Sequence, residues 1–410
     1  MDLVPTHAFG IHGPIRDNIL VYKHDRDTKR FIFPVGSQLV SFDPKDNQME
    51  FFDMKKNHHG PMTAMALSPS QKVVATASCG NNLSDGAQIH IFKTLNRRRI
   101  TTLPHRSKIN SICFSGDSRY LICASEDSIN IWSWEKEKLD YSESITGCIT
   151  RLACPTQHMN ITSSELLFSS TGTSHARIWM ASSRHRLNNI MIMPNQAKEQ
   201  KFIFQDHVWL RNSDSEDPLR VAVVMEPRRR SVGCETANLS DISVVIYQVN
   251  DNTTSSFLDM EATIPLSLDR NVQIFSIAPF RSTGFLLGGS KGTILVFDYE
   301  QGRNGEATFV KSHHLKKETD ESFTLVQGLL GNTESILAIS DAMKVYTCCV
   351  SNSLSENVCD EIFSSLISNT HHGGVVDIDC ITEKPLMVCC GGMNNIISVW
   401  YVMKNCQLIS

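Results

Sequence analysis

The sequence lacks any apolar run approaching the roughly 20 residues that a helix needs to cross a bilayer. Nor does a basic flank lead into an apolar stretch at the start, "MDLVPTHAFGIHGPIRDN", so a secretory signal is not expected. Neither charge is in clear surplus, since 39 Lys and Arg stand against 43 Asp and Glu. That balance gives no global reason to expect nucleic acid or an anionic membrane as the main partner. Sustained helical periodicity and heptads are also missing, which argues against a coiled coil. No strand-to-helix nucleophile elbow and no H-E-x-x-H helix is expected, and acidic residues scatter over apparent loops. The chain therefore reads as not an enzyme, with no catalytic residue, no cofactor and no metal expected.

Absence of a signal and of a span makes a soluble, intracellular protein the expectation, and there the thirteen cysteines should be reduced thiols. Their odd number agrees with this, because a complete intrachain disulfide framework needs an even one. Cys113, Cys123, Cys348 and Cys389 fall at strand positions that bury small apolar side chains. Paired histidines occur at His58-His59, His313-His314 and His371-His372. Adjacent side chains on extended backbone point opposite ways, so such a pair does not supply two ligands to one metal. The vicinal pairs Cys348-Cys349 and Cys389-Cys390 read the same way. "LLGGSKGTILVF" leads into a strand rather than a helix, so it reads as a turn and not as a phosphate loop. Arg97-Arg98-Arg99 and Arg228-Arg229-Arg230 read as solvated turns, the second placing basic residues beside Ser231, a candidate for phosphorylation.

Against these absences stands a repeat. "HHGPMTAMALSPSQKVVATAS" and "HRSKINSICFSGDSRYLICASEDSINIWSWEKEK" share an alternating strand, a Ser-Pro or Gly-Asp turn and a second strand. Each is followed by a third, "AQIHIFK" or "SINIWSW". Triplets recur in "CITRLAC", "SELLFSS", "HARIWMA", in "NVQIFSIAP", "TGFLLGG", "GTILVFDYE", and in "SFTLVQGLLG", "SILAISD", "MKVYTCC". "PLRVAVVME" and "ISVVIYQVN" mark one more unit, with a long loop over Glu226 to Leu239, and "RFIFPVG", "QLVSFDP", "NQMEFFDM" mark the first. Repetition every 40 to 50 residues or so, at about four strands per unit, indicates a β-propeller. Seven such meanders precede His371. An eighth, "HHGGVVDIDCITEKPLMVCCGGMNNIISVWYV", is surplus to a closed ring.

The stretch from His105 resembles the WD40 repeat. In that family a His, a Ser or Thr, an Asp and a Trp lock the blade by hydrogen bonds, and His105, Ser125, Asp127 and Trp132 fall on those positions. The resemblance implies an all-β fold: a seven-bladed WD40-type β-propeller over residues 1–368, followed by one additional blade-like unit, 369–410, that begins a second propeller. The last unit then needs a further blade or a partner chain to cover it. "HAFGIHG" is expected as the strand that closes the ring against the last blade.

The order of "THAFGIHGPIRDNI", "FIFPVGSQLVSFDPKDNQMEFF", "AMALSPSQKVVATAS", "SICFSGDSRYLICAS", "WSWEKEK" and "FQDHVWLRN" is similar to that in cilia- and flagella-associated WD-repeat proteins of the axoneme. That resemblance implies a non-catalytic structural scaffold in the cilium or flagellum. Its partners would be other axonemal proteins, the bases of inner dynein arms, neighbouring regulatory complexes and tubulin, with no nucleic acid and no membrane. The alternative is a cytosolic WD40 adaptor for a multiprotein complex such as a ubiquitin ligase or a trafficking coat.

Overall fold

The computed structural model describes residues 11, 15–24, 29–53, 60–79, 86–145, 147–156, 166–172, 175–182, 186–192, 202–210, 218–227, 242–250, 257–266, 268, 272–281, 283–301, 307–317, 319–329, 334–350, 364–367, 375–381, 386–391, 397–402 and 408–409. Their strands form eight four-stranded antiparallel sheets, each built from consecutive strands. The first has β1 (Leu20–Lys23), β2 (Lys29–Val35), β3 (Gln38–Asp43) and β4 (Gln48–Phe51). Blade 2 has β5 (Met62–Leu67), β6 (Val73–Cys79), β7 (Ala87–Lys93) and β8 (Arg99–His105). Blade 3 has β9 (Ile109–Phe114), β10 (Tyr120–Ser125), β11 (Ser128–Ser133) and β12 (Lys138–Ser144). Blade 4 has β13 (Ile149–Ala153), β14 (Leu166–Gly172), β15 (His175–Ser182) and β16 (Arg186–Met191). Blade 5 has β17 (Phe202–Trp209), β18 (Leu219–Pro227), β19 (Ser243–Val249) and β20 (Leu258–Pro265). Blade 6 has β21 (Ile274–Phe280), β22 (Gly284–Gly289), β23 (Thr293–Gln301) and β24 (Ala307–Lys316). Blade 7 has β25 (Phe323–Gly328), β26 (Ser335–Ser340), β27 (Val345–Cys349) and β28 (Ser364–Ile367). A further sheet follows, of β29 (Val375–Ile381), β30 (Leu386–Gly391), β31 (Ile397–Val402) and β32 (Leu408–Ile409).

Alternation along the middle strands gives each blade two apolar faces, and neither can be buried within one sheet. In β10, Leu121 and Cys123 pack toward blade 2 while Ile122 and Ala124 pack toward blade 4. Seven buried clusters result, one per seam. Tyr22 and Ile32 meet Met65 and Val74; Ile89 and Leu103 meet Ile112 and Phe114; Ile131 meets Phe168 and Trp179. Ile178 meets Val221 and Tyr247; Val224 meets Phe285; Val296 meets Ile336 and Tyr346. The seventh cluster joins Leu337 and Ile339 of blade 7 to Ile19, Phe33 and Val40 of blade 1, so the ring is a closed seven-bladed propeller. Residues Ile11 to Val350 supply all seven seams.

Closure is by face packing. The fourth strand of blade 7 is β28, from the same stretch of chain, whereas the expected closing strand "HAFGIHG" lies outside the described residues except for Ile11, which packs in the blade 7 to blade 1 seam. The first strands of blades 2 to 7 adjoin one another in chain order and so line the axis. Among the described residues the sole helical element is one 3-10 turn, Trp134–Lys136.

Candidate functional site

Six of the seven first strands in the ring carry the same irregularity. Their register against the second strand shifts between Met62 and Ala64, and at the matching places before Ser111, Arg151, Asp206, Ser276 and Leu325. A bulge re-aims the residue that follows it, and on the inner strand that means toward the axis or the next blade. Ser111 of blade 3 accepts the Leu152 N–H of blade 4 at 2.9 Å. Asp206 of blade 5 likewise accepts the Ile277 N–H of blade 6 at 3.0 Å.

Asp206 is fully buried and gathers most of the charge on the axis. Arg151, at the matching position of blade 4, reaches both its oxygens at 3.1 and 2.8 Å. Arg16, which precedes β1, reaches Asp206 Oδ2 at 3.1 Å and donates to the carbonyls of Gln205 and Phe275. Asp17 lies 3.7 Å from Arg151, and Asn18 donates to Met343 Sδ of blade 7. A segment rooted in blade 1 thus crosses the axis to blades 4, 5 and 6. Two guanidinium groups against two carboxylates leave the cluster neutral, which lets it survive burial. Removing one carboxylate would strand buried positive charge at a cost of about 3–5 kcal/mol. Beside it, His207 bridges back to blade 4, with Nδ1 2.8 Å from Thr171 Oγ1 and Nε2 2.7 Å from Ser169 Oγ. Burial, with Arg151 and Arg16 near, holds this imidazole well below its ordinary pKa, so it is neutral. The blade 4 to 6 side of the axis is therefore polar and carries Arg16, Arg151, Asp206 and His207.

The four residues read as a WD-type network divide into two groups. Ser125 Oγ donates to Asp127 Oδ1 at 2.6 Å and Ser107 Oγ to Asp127 Oδ2 at 3.2 Å, bonds that hold the Asp127 carboxyl below its usual range. His105 Nε2 accepts from Asn130 at 2.9 Å, leaving Nδ1 to donate to the Ser107 carbonyl at 2.8 Å. Trp132 is not joined to this set, and its buried indole N–H makes no hydrogen bond to oxygen or nitrogen. The reason is register. Trp132 pairs with Leu121 as Trp179 of blade 4 pairs with Phe168, and two residues on stand Cys123 and Ser170 respectively. Trp179 donates to Ser170 Oγ at 2.8 Å. Cys123 takes that place in blade 3, with Ser125 two residues too far along the strand.

The same register exposes a pattern that the sequence reading missed. Phe42, Phe92, Trp132, Trp179, Tyr247, Phe297 and Tyr346 hold this third-strand position around the ring, pairing with Phe31, Val74, Leu121, Phe168, Val221, Phe285 and Ala338. In six of the seven blades the signal was a β-branched residue followed by any large aromatic, as in "IFK", "IYQ", "VFD" and "VYT", and not Trp alone; in blade 1 Ser41 precedes Phe42.

Other expectations fall out individually. Gly288-Gly289-Ser290-Lys291-Gly292 matches a G-x-S-x-G string, a match the sequence reading did not register. It lies between β22 and β23 with no helix after it, and Ser290 Oγ accepts the Gln273 N–H at 3.0 Å, so it is a structural turn and no nucleophile elbow. Gly292 has φ +63°, and a Cβ there would meet the Lys317 carbonyl oxygen at 2.3 Å. Arg97 is not simply a solvated turn residue, since it pairs with Glu50 of blade 1 at 2.9 Å, beside Arg30. His313 and His314 lie on β24 and pair with successive residues of β23. His58, His59, His371, His372, Arg228 to Arg230 and Ser231 lie outside the described residues. Among the described residues no group of three or more His, Cys, Asp or Glu could hold a metal ion. Burial pushes the thiols of Cys123 and Cys348 up to about 12, and that of Cys113, 3.5 Å from Cys154 Sγ, well above its ordinary value. None of the three is a ready nucleophile.

Residues 97–133 match the family described as WD domain, G-beta repeat. That segment holds β8 to β11 and all four residues of the expected network. No curated protein matches the chain in sequence. Among solved structures, the β-propeller domain of Cps50 (Swd1) from Myceliophteria thermophila is similar at 12% identity and a TM-score of 0.53, over 83% of this chain and 96% of that one. Hydrazine synthase from Kuenenia stuttgartiensis is similar at 12% identity and a TM-score of 0.56, over 84% and 97%. Likeness at that identity carries the fold alone, and one of the two is by its title an enzyme. WD40 propellers are typically non-catalytic scaffolds for protein–protein interaction, and this chain is a seven-bladed propeller carrying a WD repeat.

Proposed function

We propose that the protein is a non-catalytic interaction scaffold of the ciliary or flagellar axoneme, contributing to docking or regulation of inner dynein arms on doublet microtubules. The scaffold half of this reading is carried by the axis. Arg16 and Asp17 reach to the axis, where a small substrate would sit in a catalytic propeller, and pair there with Asp206 and Arg151, which favours the rim and the two faces for partners. The axonemal half is carried by the ordered phrases from "THAFGIHGPIRDNI" to "FQDHVWLRN", which resemble the amino-terminal propeller of cilia- and flagella-associated protein 57. On the same resemblance, residues 369–410 begin a second propeller and lean on a further blade or partner chain. Fractionation of isolated cilia tests the assignment. The polypeptide should stay with the detergent- and salt-extracted axoneme, and its recovery in the soluble cytosol would favour the adaptor reading instead.

A further inference from the structure

Blades 5 and 6 do not meet flush at the rim. A cavity of about 490 Å³ opens between the end of β20 and the outer half of blade 6. Its accessible apolar lining comes from Ile264 and Leu268 on the blade 5 side and from Phe309 and Val310 of blade 6, over the buried Leu266, Leu295 and Phe297 of the seam. Leu295 and Phe297 alternate along β23 onto one face, and Phe309 braces that face through contacts with Phe285 at 5.6 Å and Tyr299 at 4.8 Å. A register shift between Val296 and Phe297 then turns the remainder of β24, so that His314 and Lys316 come to the cavity as well as Lys311.

The charge of the groove is one-sided. Lys291, Lys311 and Lys316 line it, no carboxylate does among the described residues, and none of the three lysines is in an ion pair there. Glu261, the acid on the facing strand, is already taken by Arg220 at 2.7 Å, and Arg220 also lies 4.9 Å over the Tyr299 ring. Three uncommitted ammonium groups around an apolar floor fit a ligand that brings carboxylates and one large apolar side chain together. A polyanion such as nucleic acid would gain the lysines but leave the apolar floor empty. Val310, 41% exposed on the same strand, extends the apolar contact beyond the floor.

We propose that the groove between blades 5 and 6 docks an acidic segment of a partner protein, with carboxylates on Lys291, Lys311 and Lys316 and an aliphatic or aromatic anchor over Phe309 and Val310. The proposal stands on the interaction-scaffold half of the functional reading and is independent of the axonemal half.

The test uses the purified 410-residue protein and a fluorescein-labelled peptide carrying Leu-Phe between flanking Asp and Glu residues, read by anisotropy. Binding should weaken as salt rises, and the triple reversal K291E/K311E/K316E should weaken it by about tenfold or more. K291R/K311R/K316R should retain it, which separates charge from misfolding. Replacing the peptide's Leu-Phe by Ser-Gly should lose a similar factor. Equal binding by the reversed variant, by the anchorless peptide, or by single-stranded DNA of the same charge would each overturn the proposal. Such a failure leaves the fractionation result untouched, so the two readings fail separately.

Discussion

A single atom type separates blade 3 from blade 4. Trp179 finds Ser170 Oγ at 2.8 Å, whereas Trp132, in the same register, has Cys123 where that hydroxyl would be. Sulfur accepts a hydrogen bond weakly, so the Trp132 indole N–H is left short while Cys123 itself leans on the Asn130 carbonyl at 3.5 Å. Cys123→Ser would place a hydroxyl that both donates to Asn130 O and accepts from Trp132. With both of its bonds satisfied, the new group is expected to raise stability by about 1 kcal/mol, measured as a higher urea midpoint at unchanged slope. A lower midpoint would mean that the smaller oxygen leaves more void than its bonds offset. Sequence reading named His105, Ser125, Asp127 and Trp132 but could not see that the last pairs with Leu121, four residues before Ser125. The unbroken pairing of β10 with β11, from Tyr120 opposite Ser133 to Ala124 opposite Ile129, sets that offset, and a pairing register leaves no mark in residue type.

At the level of strands, what was legible followed burial. The first three strands of blades 2, 3, 4, 6 and 7 alternate apolar and small residues because both faces are covered, and each was readable as a triplet. Rim strands were not, apart from β4 in "NQMEFFDM". β12 reads "KLDYSES" and is exposed or half-buried throughout, and β20 reads "LDMEATIP" with only half-buried positions facing inward. A strand whose one covered face is thin has no period to detect. β17 was missed for the opposite reason: "FIFQDHVW" carries Asp206 and His207 among apolar residues, and a buried polar pair interrupts the pattern just where the axis is built. That interruption has a measurable consequence. His207 is neutral in the folded ring, held well below its ordinary 6.5 by burial and by Arg151 and Arg16, while Asp206 makes its close contacts to those arginines and Thr171 and Ser169 face its ring. Below pH 6.5 the unfolded chain takes up a proton that the folded one refuses, so stability falls with falling pH, by at most about 1.4 kcal/mol per pH unit for this group. Burial shifts His105 and His175 the same way, whereas Asp117, Asp127 and Glu321, held low by their partners, weaken the fold only in a more acidic window, as pH falls past their unfolded values. His207→Gln keeps bonding partners for Ser169 and Thr171 and should flatten thermal stability between pH 6.5 and 4.5 relative to the parent. An unchanged slope over that range would show that His207 is not the titrating group.

Across the whole molecule the decisive count is of seams. Seven blades need seven buried interfaces to close, and all seven are present between Ile11 and Val350, the last of them joining blade 7 back to blade 1. Each blade depends on two neighbours, as in any circular array, and the Arg16 to Asp206 contact adds a strut across the diameter from blade 1 to blade 5. Among the residues whose burial is described, all those that form these seams lie ahead of the eighth sheet, β29 to β32. A four-stranded sheet outside the ring has two apolar faces and two strand edges of its own to cover, so it draws on the ring or on a partner more than the ring draws on it. Ending the chain after residue 368 is therefore expected to leave a monomeric protein that unfolds in one cooperative step. Its midpoint should lie within about 0.5 kcal/mol of the parent's in free-energy terms, because the described residues of all seven seams are kept. The slope against urea should fall, since less surface is exposed on unfolding. Ending it after residue 328 instead removes β26 to β28 and with them Leu337, Ile339 and Val345 from the closing seam, and should yield an aggregating, uncooperative chain. If the 368-residue form behaved like the 328-residue one, the eighth sheet would have to be part of the ring's own support, and the boundary near 368 would be wrong.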